Sequence, residues 1–463
     1  MQQLSFMDQA FLLGEAPRVP GHFTPVLVYD PATAPGGSVS FEQILEGIRG
    51  RLHLDRTFRR KLARVPLGLD HAYWVEDADF DLEFHVRQAA LPAPGDWRQF
   101  CTLVARVHAR PLDMTRPLWE LTVIEGIESV EGLPQGAFAL VLKVHHAAID
   151  GASGVQMISV IHEDSADAET KAVADDWQPE QPPSAAWMLG RAAVNTVRRP
   201  VEAARAVGGR TGVVGEAARA LTHRPRMPQR LPRTRFNGKL TPHRVFDAFR
   251  FPIEDLKRIK ARVEGATLND AALAMVAGGL RSYLQEKAEL PEEALVAAVP
   301  VSTRTPEQAA DGGNAISMLR ASLHTDVADP IARLTAIRDS TRISKEAQKG
   351  VGAAVLQDVA QAVPGALMGI GMRAMAALPV DGPILAHTGV TNVPGPREPL
   401  YFCGARLEWF TGCSPLWDGL TLMHSIGSYR DDFSVQITAD REAMPDPEVY
   451  LDHLRAALAE LMP

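Results

Sequence analysis

Residues Lys143 to Gly154 read KVHHAAIDGASG, so that His145 and His146 close the apolar run GAFALVLKV and are followed by Asp150 and Gly151. The run is long and apolar enough for a buried strand, and GASGVQMISVIHE beyond it has helical character. The histidines are therefore expected at a strand end and turn, where side chains meet a cleft. Adjacent residues of an extended chain point to opposite faces, so one histidine should look into a site while the other packs within the domain. Gly151 permits the tight turn, and Asp150 is placed to hold the loop by pairing with an arginine. Arg304 is the candidate partner; an ordinary surface or interdomain ion pair is the other reading of that residue.

A neutral imidazole, with an unperturbed pKa of about 6.5, is well suited to take a proton from an alcohol at neutral pH, an effect of about 10²- to 10⁴-fold. The sequence has no G-x-S-x-G elbow and no evident catalytic cysteine, which favours direct transfer over a covalent intermediate. It has no HExxH, and neighbouring histidines on a strand diverge, so no metal site is expected. On these residues alone the pattern favours acyl transfer, with two satisfied structural histidines as the competing reading.

At 463 residues the chain suggests two domains. Its formal net charge of -8 and ordinary hydrophobic fraction fit a globular protein. The opening MQQLSFMDQAFLLGEAP carries acids where a signal peptide would be basic, which places the protein in the cytoplasm as an expectation. Cys101, Cys403 and Cys413 form no CxxC and are read as small core residues. The most apolar segment, Ala362 to Val380, is broken by Pro364, several glycines and Arg373. It reads as core, or as a surface against lipid, rather than as a membrane span.

Up to His162 apolar runs alternate with helical patterns, as in a mixed α/β domain, and residues 1–162 are assigned to it. Residues 163–240 read as a linker, partly helical. It is acidic from Glu163 to Ala186, where prolines cluster at 179, 182 and 183, then arginine-rich from Trp187 to Lys239. Val194, Val197 and Val201 fall at helical spacing beside Arg191, Arg198 and Arg205, although Pro200 is expected to break or kink a helix there. Two readings stand for this segment: arginines snorkelling at an anionic membrane surface, or an interdomain helix with a solvated basic face. Few aromatics and no binding motif speak against nucleic acid. Residues 241–463 form a second α/β domain, with strand-like HRVFDAFRF, ALVAAVPVSTR, LTLMHSIGSYR and DFSVQITAD, the helical TLNDAALAMVAGGLRSYLQEK, and a Pro/Gly turn in TNVPGPREP. Asn392 and Thr391 in that turn are candidate donors to a tetrahedral oxyanion, because such a turn can aim side chains into an interdomain cleft. Asn269 and Asp270 stand where a helix N-terminus needs a cap.

HHAAIDG matches the HHxxxDG motif of the CoA-dependent acyltransferase superfamily, which includes chloramphenicol acetyltransferase and peptide-synthetase condensation domains. LSFMDQAFL at Leu4 to Leu12, FRRKL at Phe58 to Leu62, PLWE at Pro117 to Glu120, LNDAALA at Leu268 to Ala274, VPVSTR at Val299 to Arg304, GGN at Gly312 to Asn314, NVPGP at Asn392 to Pro396 and the closing ADREAMPDPE narrow the choice. Together, in this order and over nearly the whole chain, they resemble the bacterial wax ester synthase/diacylglycerol acyltransferases. The resemblance implies a two-domain α/β fold like chloramphenicol acetyltransferase, with mixed sheets flanked by helices and the active site at the domain interface. It implies transfer of a long-chain acyl group from acyl-CoA, the co-substrate, to a fatty alcohol or diacylglycerol, with no other cofactor. His146 matches the catalytic base, His145 would shape the site, Asp150 would hold the loop and Gly151 would allow its turn. Asn269 and Asp270 match the ND pair, which supports a helix start and the site floor; PLW would pack the strand beside the site. Thr391 stands where a serine is more usual. Peripheral contact with the inner membrane or lipid inclusions is a further expectation. Two alternatives remain at this point: an HHxxxDG enzyme using a carrier-bound acyl group, and a non-catalytic lipid-surface protein.

Overall fold

The computed structural model describes residues 1–148, 158–167, 177–208, 231–302, 316–349, 368 and 384–463. Asp150, Gly151, Arg304, the GGN motif at 312–314 and nearly all of the apolar segment 362–380 lie outside them.

The first half of the chain contributes β1 (Gln2–Gln3), β2 (His22–Asp30), β3 (Arg60–Ala63), β4 (Tyr73–Glu76), β5 (Val86–Ala90), β6 (Trp119–Ile127) and β7 (Ala137–His145). Its helices are α1 (Phe6–Gly14), α2 (Phe41–Arg49), the short α3 (Leu82–His85) and α4 (Trp97–Ala109), followed by the long α5 (Ala185–Gly208). The second half supplies β8 (Arg244–Pro252), β9 (Val296–Ser302), β10 (Ile316–Ser322), β11 (Thr388–Pro394), β12 (Tyr401–Phe402), β13 (Ala405–Cys413), β14 (Leu422–Tyr429) and β15 (Asp432–Asp440). Its helices are α6 (Ile253–Ala261), α7 (Leu268–Glu286), α8 (Pro330–Lys349) and α9 (Pro447–Leu461).

Two six-stranded mixed sheets organise the molecule, in the orders β12-β13-β2-β7-β6-β5 and β10-β9-β11-β14-β15-β8; β1, β4 and β3 form a small third sheet. All nine residues of β7 are buried, which explains its unbroken apolar run: it lies in the middle of the first sheet between β2 and β6. α7 is buried nearly all round, and its Gly278 and Gly279 let α9 approach closely. A Cβ at these positions would stand 2.7 Å from Ala457 and 2.6 Å from Leu454.

Although β12 and β13 follow residue 241, they complete the first sheet, with β13 antiparallel to β2 and Arg406 opposite Asp30. The boundary drawn from composition divides the sequence but not the sheets. The halves also share a core in which Val26, Phe100 and Val141 pack with Phe246, Ala248 and Trp409. On its rim Trp97 stacks on Trp409 at 4.8 Å and donates from Nε1 to Asp247 at 2.8 Å.

Two local expectations are corrected. TNVP is not a turn: Thr391 and Asn392 belong to β11, in parallel register with Ser425 and Ile426 of β14, and the turn begins after Pro394. Ladder pairing on the β14 side overrides the turn preference of the following Pro and Gly. Likewise α5 runs through Pro200 without ending. The lost N–H leaves one helical bond unmade, while the inner face is held by Asn195 and Arg199, which donate to Asp70 at 2.7 Å and 2.8 Å. Among the described residues no helix is long and apolar enough to cross a membrane.

Candidate active site

β7 ends at His145, and the chain turns at once, with the Ala148 N–H donating to the His145 carbonyl at 2.9 Å. The strict alternation of a strand therefore stops between the two histidines. His145 is completely buried, whereas His146 keeps partial exposure. Both rings meet the N-terminal helix α1. Phe11 stacks on His146 with centroids 4.9 Å apart, and Phe23 of β2 closes on the same ring at 5.2 Å. Glu15, the C-cap of α1, places a carboxylate oxygen 3.3 Å from His145 Nε2, without hydrogen-bond alignment.

The backbone fixes the state of His145. The Ala147 N–H donates to its Nδ1 at 3.0 Å, so Nδ1 holds the lone pair and Nε2 carries the proton, 3.3 Å from a Glu15 carboxylate oxygen but not hydrogen-bonded to it. Gly21 makes room for this arrangement: a Cβ there would stand 2.7 Å from His145 Nε2. The Gly21 carbonyl also accepts the His146 N–H at 2.9 Å, and the Leu118 carbonyl accepts the His145 N–H at 3.0 Å. The PLW segment thus acts through its backbone. Its Trp119 ring is core, donating to the Phe58 carbonyl at 2.9 Å and stacking on His85 at 4.6 Å.

Neither ring nitrogen of His146 has a hydrogen-bond partner among the described residues. Desolvation between the two phenylalanines, reinforced by the neighbouring His145, lowers its pKa to about 4. This corrects the expectation of a base near its solution value: the ring is neutral throughout the physiological range. Beneath the pair lie two further histidines. His22, opposite His145 across the ladder, donates from Nε2 to the His108 carbonyl at 2.7 Å, and burial pushes its pKa well down. Burial, together with the charges of Arg244 and Lys143, lowers His108 to about 3.

Lys143, two residues before His145, is buried against Glu120 at 3.0 Å and the Arg110 carbonyl at 2.9 Å, so its charge is compensated. It lines an open cleft of about 310 Å³ with Phe84, Arg87, Arg110, Glu120 and Thr122; neither His145 nor His146 is among the cleft's lining residues.

The other candidates are dispersed. Asp270 is committed to structure: its carboxylate accepts the Thr267 N–H at 2.8 Å and the Thr341 hydroxyl at 2.7 Å, capping α7 and tying it to α8. Asn269 is partly buried beside it. Thr391 is partly buried and Asn392 exposed on β11, and no described hydrogen bond or ring contact joins either to the histidine pair. Phe11, Glu15, Gly21 and Phe23, which the sequence did not single out, are what surround it. Phe11 lay within the LSFMDQAFL motif, the one signal that could have pointed to it.

The fold of two mixed six-stranded sheets is also that of the condensation domains. The first condensation domain of the CDA synthetase superposes over 99% of this chain and 96% of its own with TM-score 0.56 at 15% identity. The starter condensation domain of rhizomide synthetase, solved in complex with C8-CoA and Leu-SNAC, superposes over 99% and 93% with TM-score 0.54 at 15% identity. The wax ester synthase/diacylglycerol acyltransferase from Marinobacter aquaeolei VT8 matches further: TM-score 0.68 and 28% identity over 99% of this chain and 98% of that one.

The chain belongs to the wax ester synthase/diacylglycerol acyltransferase family: its catalytic-domain model matches residues 4–272 and its C-terminal-domain model residues 312–462. A putative diacylglycerol O-acyltransferase of Mycobacterium tuberculosis is 33% identical over 100% of this chain and 97% of its own length. A probable diacylglycerol O-acyltransferase of the same species is 31% identical over 98% and 97%.

Proposed function

We propose that this protein transfers a long-chain acyl group from acyl-CoA to the hydroxyl of a fatty alcohol or a diacylglycerol, with His146 as general base. The observation that carries the reading is the state of that ring: neutral, partly exposed, and without a partner for either nitrogen among the described residues. A histidine so placed has a lone pair available for an incoming hydroxyl. The hydroxyl oxygen attacks the thioester carbonyl carbon as its proton passes to His146. The tetrahedral intermediate then collapses with cleavage of the C–S bond, and the imidazolium returns the proton to the departing thiolate, giving ester and free CoA.

His145 acts as a fixed support, held by the Ala147 N–H and facing Glu15. Phe11 and Phe23 exclude water from one side of the base and keep it unprotonated. We assign Asp150 and Gly151 to shaping the loop after the histidines, with Arg304 as the partner of Asp150. Thr391 and Asn392 are retained as oxyanion candidates, now from a strand rather than a turn.

The test is CoA release from long-chain acyl-CoA with hexadecanol or a diacylglycerol, comparing the wild type with His146→Ala. The expected result is ester formation in the wild type and a loss of about 10²- to 10⁴-fold in the variant. Equal rates in both would overturn the assignment. Activity only with an acyl group on a phosphopantetheinyl carrier would move the donor to a different class.

A further inference from the structure

Among the described residues, the outward face of α5 carries a cluster of exposed apolar side chains. Its inner face is fixed: Met188 and Ala192 pack on Val65, Tyr73 and Val75, and Asn195 and Arg199 bind Asp70. The opposite face is therefore held toward solvent, yet it carries Trp187, Val194, Val197 and Val201, all exposed, with Val197 at 69%. These residues recur at the spacing of one helical stripe. The turn at Pro66–Gly68 packs beside α5 and adds Leu67, which is 92% exposed and has a φ of 60°. A leucine in the left-handed region costs about 1 kcal/mol, and its exposed side chain gains nothing from burial to offset this. Asparagine or glycine would avoid that backbone cost, so the fold gives up stability to present this side chain.

The charged residues of the stripe's own segment, 185–201, are basic, although Glu202 follows Val201 directly. Arg64, Arg191 and Arg198 are exposed beside it, and the sequence has no acid between 181 and 201, in a chain whose net charge is -8. Arg191 lies 5.8 Å from the Trp187 ring, which itself meets Tyr73 edge-on at 5.5 Å. Apolar side chains with a tryptophan at one end and arginines along the flanks suit the boundary of an anionic lipid layer, where the stems enter and the guanidinium groups reach the headgroups. A second copy of the same face fits less well, because it would set these arginines against their own counterparts.

We infer that the outer face of α5, together with Leu67, docks the protein on an anionic lipid surface. The inference does not depend on the assigned reaction. It is tested by co-sedimentation of the full chain with vesicles of phosphatidylcholine, or of phosphatidylcholine mixed with phosphatidylglycerol, for the wild type, Leu67→Asn, Val197→Asp and His146→Ala.

The wild type is expected to bind the mixed vesicles about tenfold more tightly than the neutral ones. Leu67→Asn suits the left-handed backbone and preserves the fold; it and Val197→Asp should each weaken binding about tenfold. Both should keep the wild-type rate of CoA release toward a water-soluble alcohol. His146→Ala should bind vesicles as the wild type does, which separates failure of the docking face from failure of the catalytic assignment. Unchanged binding in both surface variants would overturn the inference. So would a wild-type dimer in solution that Val197→Asp dissociates while vesicle binding is untouched.

Discussion

Each six-stranded sheet carries a histidine on or just past a central strand, and the two could hardly be treated more differently. His424, within β14, is fully buried, and both its nitrogens are used: Nδ1 meets the Thr388 hydroxyl at 3.0 Å and Nε2 meets the Tyr450 hydroxyl at 2.6 Å. His146, one residue past β7, is partly exposed and uses neither among the described residues. Burial depresses both, to about 3 for His424 and about 4 for His146. A lowered pKa therefore does not distinguish a structural histidine from a reactive one. Access and an uncommitted lone pair do.

The comparison can be broken most sharply at Gly21. Alanine there places a Cβ 2.7 Å from His145 Nε2 and must displace the ring that supports the site. The expected outcome is a fall in kcat of about a hundredfold, larger than the fold's loss of about 1–3 kcal/mol would produce at low temperature. Steady-state rates beside a thermal melt separate the two effects.

Acid stability sharpens the same contrast. His146 and His162 are lowered to about 4, and His108 and His424 to about 3, so below their unfolded value near 6.5 the unfolded chain binds more protons than the folded one. Stability should thus be complete above about pH 6.5. It should decline as the pH falls toward 4, by about 1 kcal/mol per pH unit for each such histidine. Urea midpoints from pH 7.5 to pH 5 check this. A midpoint that held constant over that range would mean that the rings are solvated.

A moderate effect is expected within the second core. Gly279→Ala would press a Cβ to 2.6 Å from Leu454 and should destabilise by about 1–3 kcal/mol, with activity of the folded fraction retained. The smallest effect is Glu15→Gln. It keeps the shape but removes the charge facing His145 Nε2, and should lower kcat about threefold with little change in KM. A larger loss would give Glu15 a direct part in proton movement.

Much of the architecture was legible. β7, the turn after it, α4, α7 and the late strands lie where apolar periodicity put them, because each is specified by local pattern and burial. Pairing across distance was not. Nothing in ARLEWFTGC at 405–413 says that it will leave its own half and run beside β2, since partner choice depends on surfaces assembled from remote segments. The site divides in the same way. His145 and His146 were readable as the end of a buried strand because they close a contiguous apolar run, and PLW was correctly read as packing. Phe11, Glu15, Gly21 and Phe23 were not, because they are ordinary residue types whose meaning comes only from α1 and β2 closing on the end of β7. Thr391 and Asn392 were misread as turn residues because Pro394 and Gly395 come soon after them, past Val393 alone, where local turn chemistry outweighs any visible strand signal.

The central claim is that the uncommitted imidazole of His146 takes the acceptor's proton, and single-turnover CoA release from His146→Ala and His424→Ala, normalised to folded protein, tests it most directly. The account predicts a rate loss of at least about a hundredfold with a nearly unchanged melting temperature for His146→Ala. For His424→Ala it predicts a nearly unchanged rate with a melting temperature lowered by several degrees. The reverse pattern, a slow His424 variant beside an active His146 variant, would contradict it.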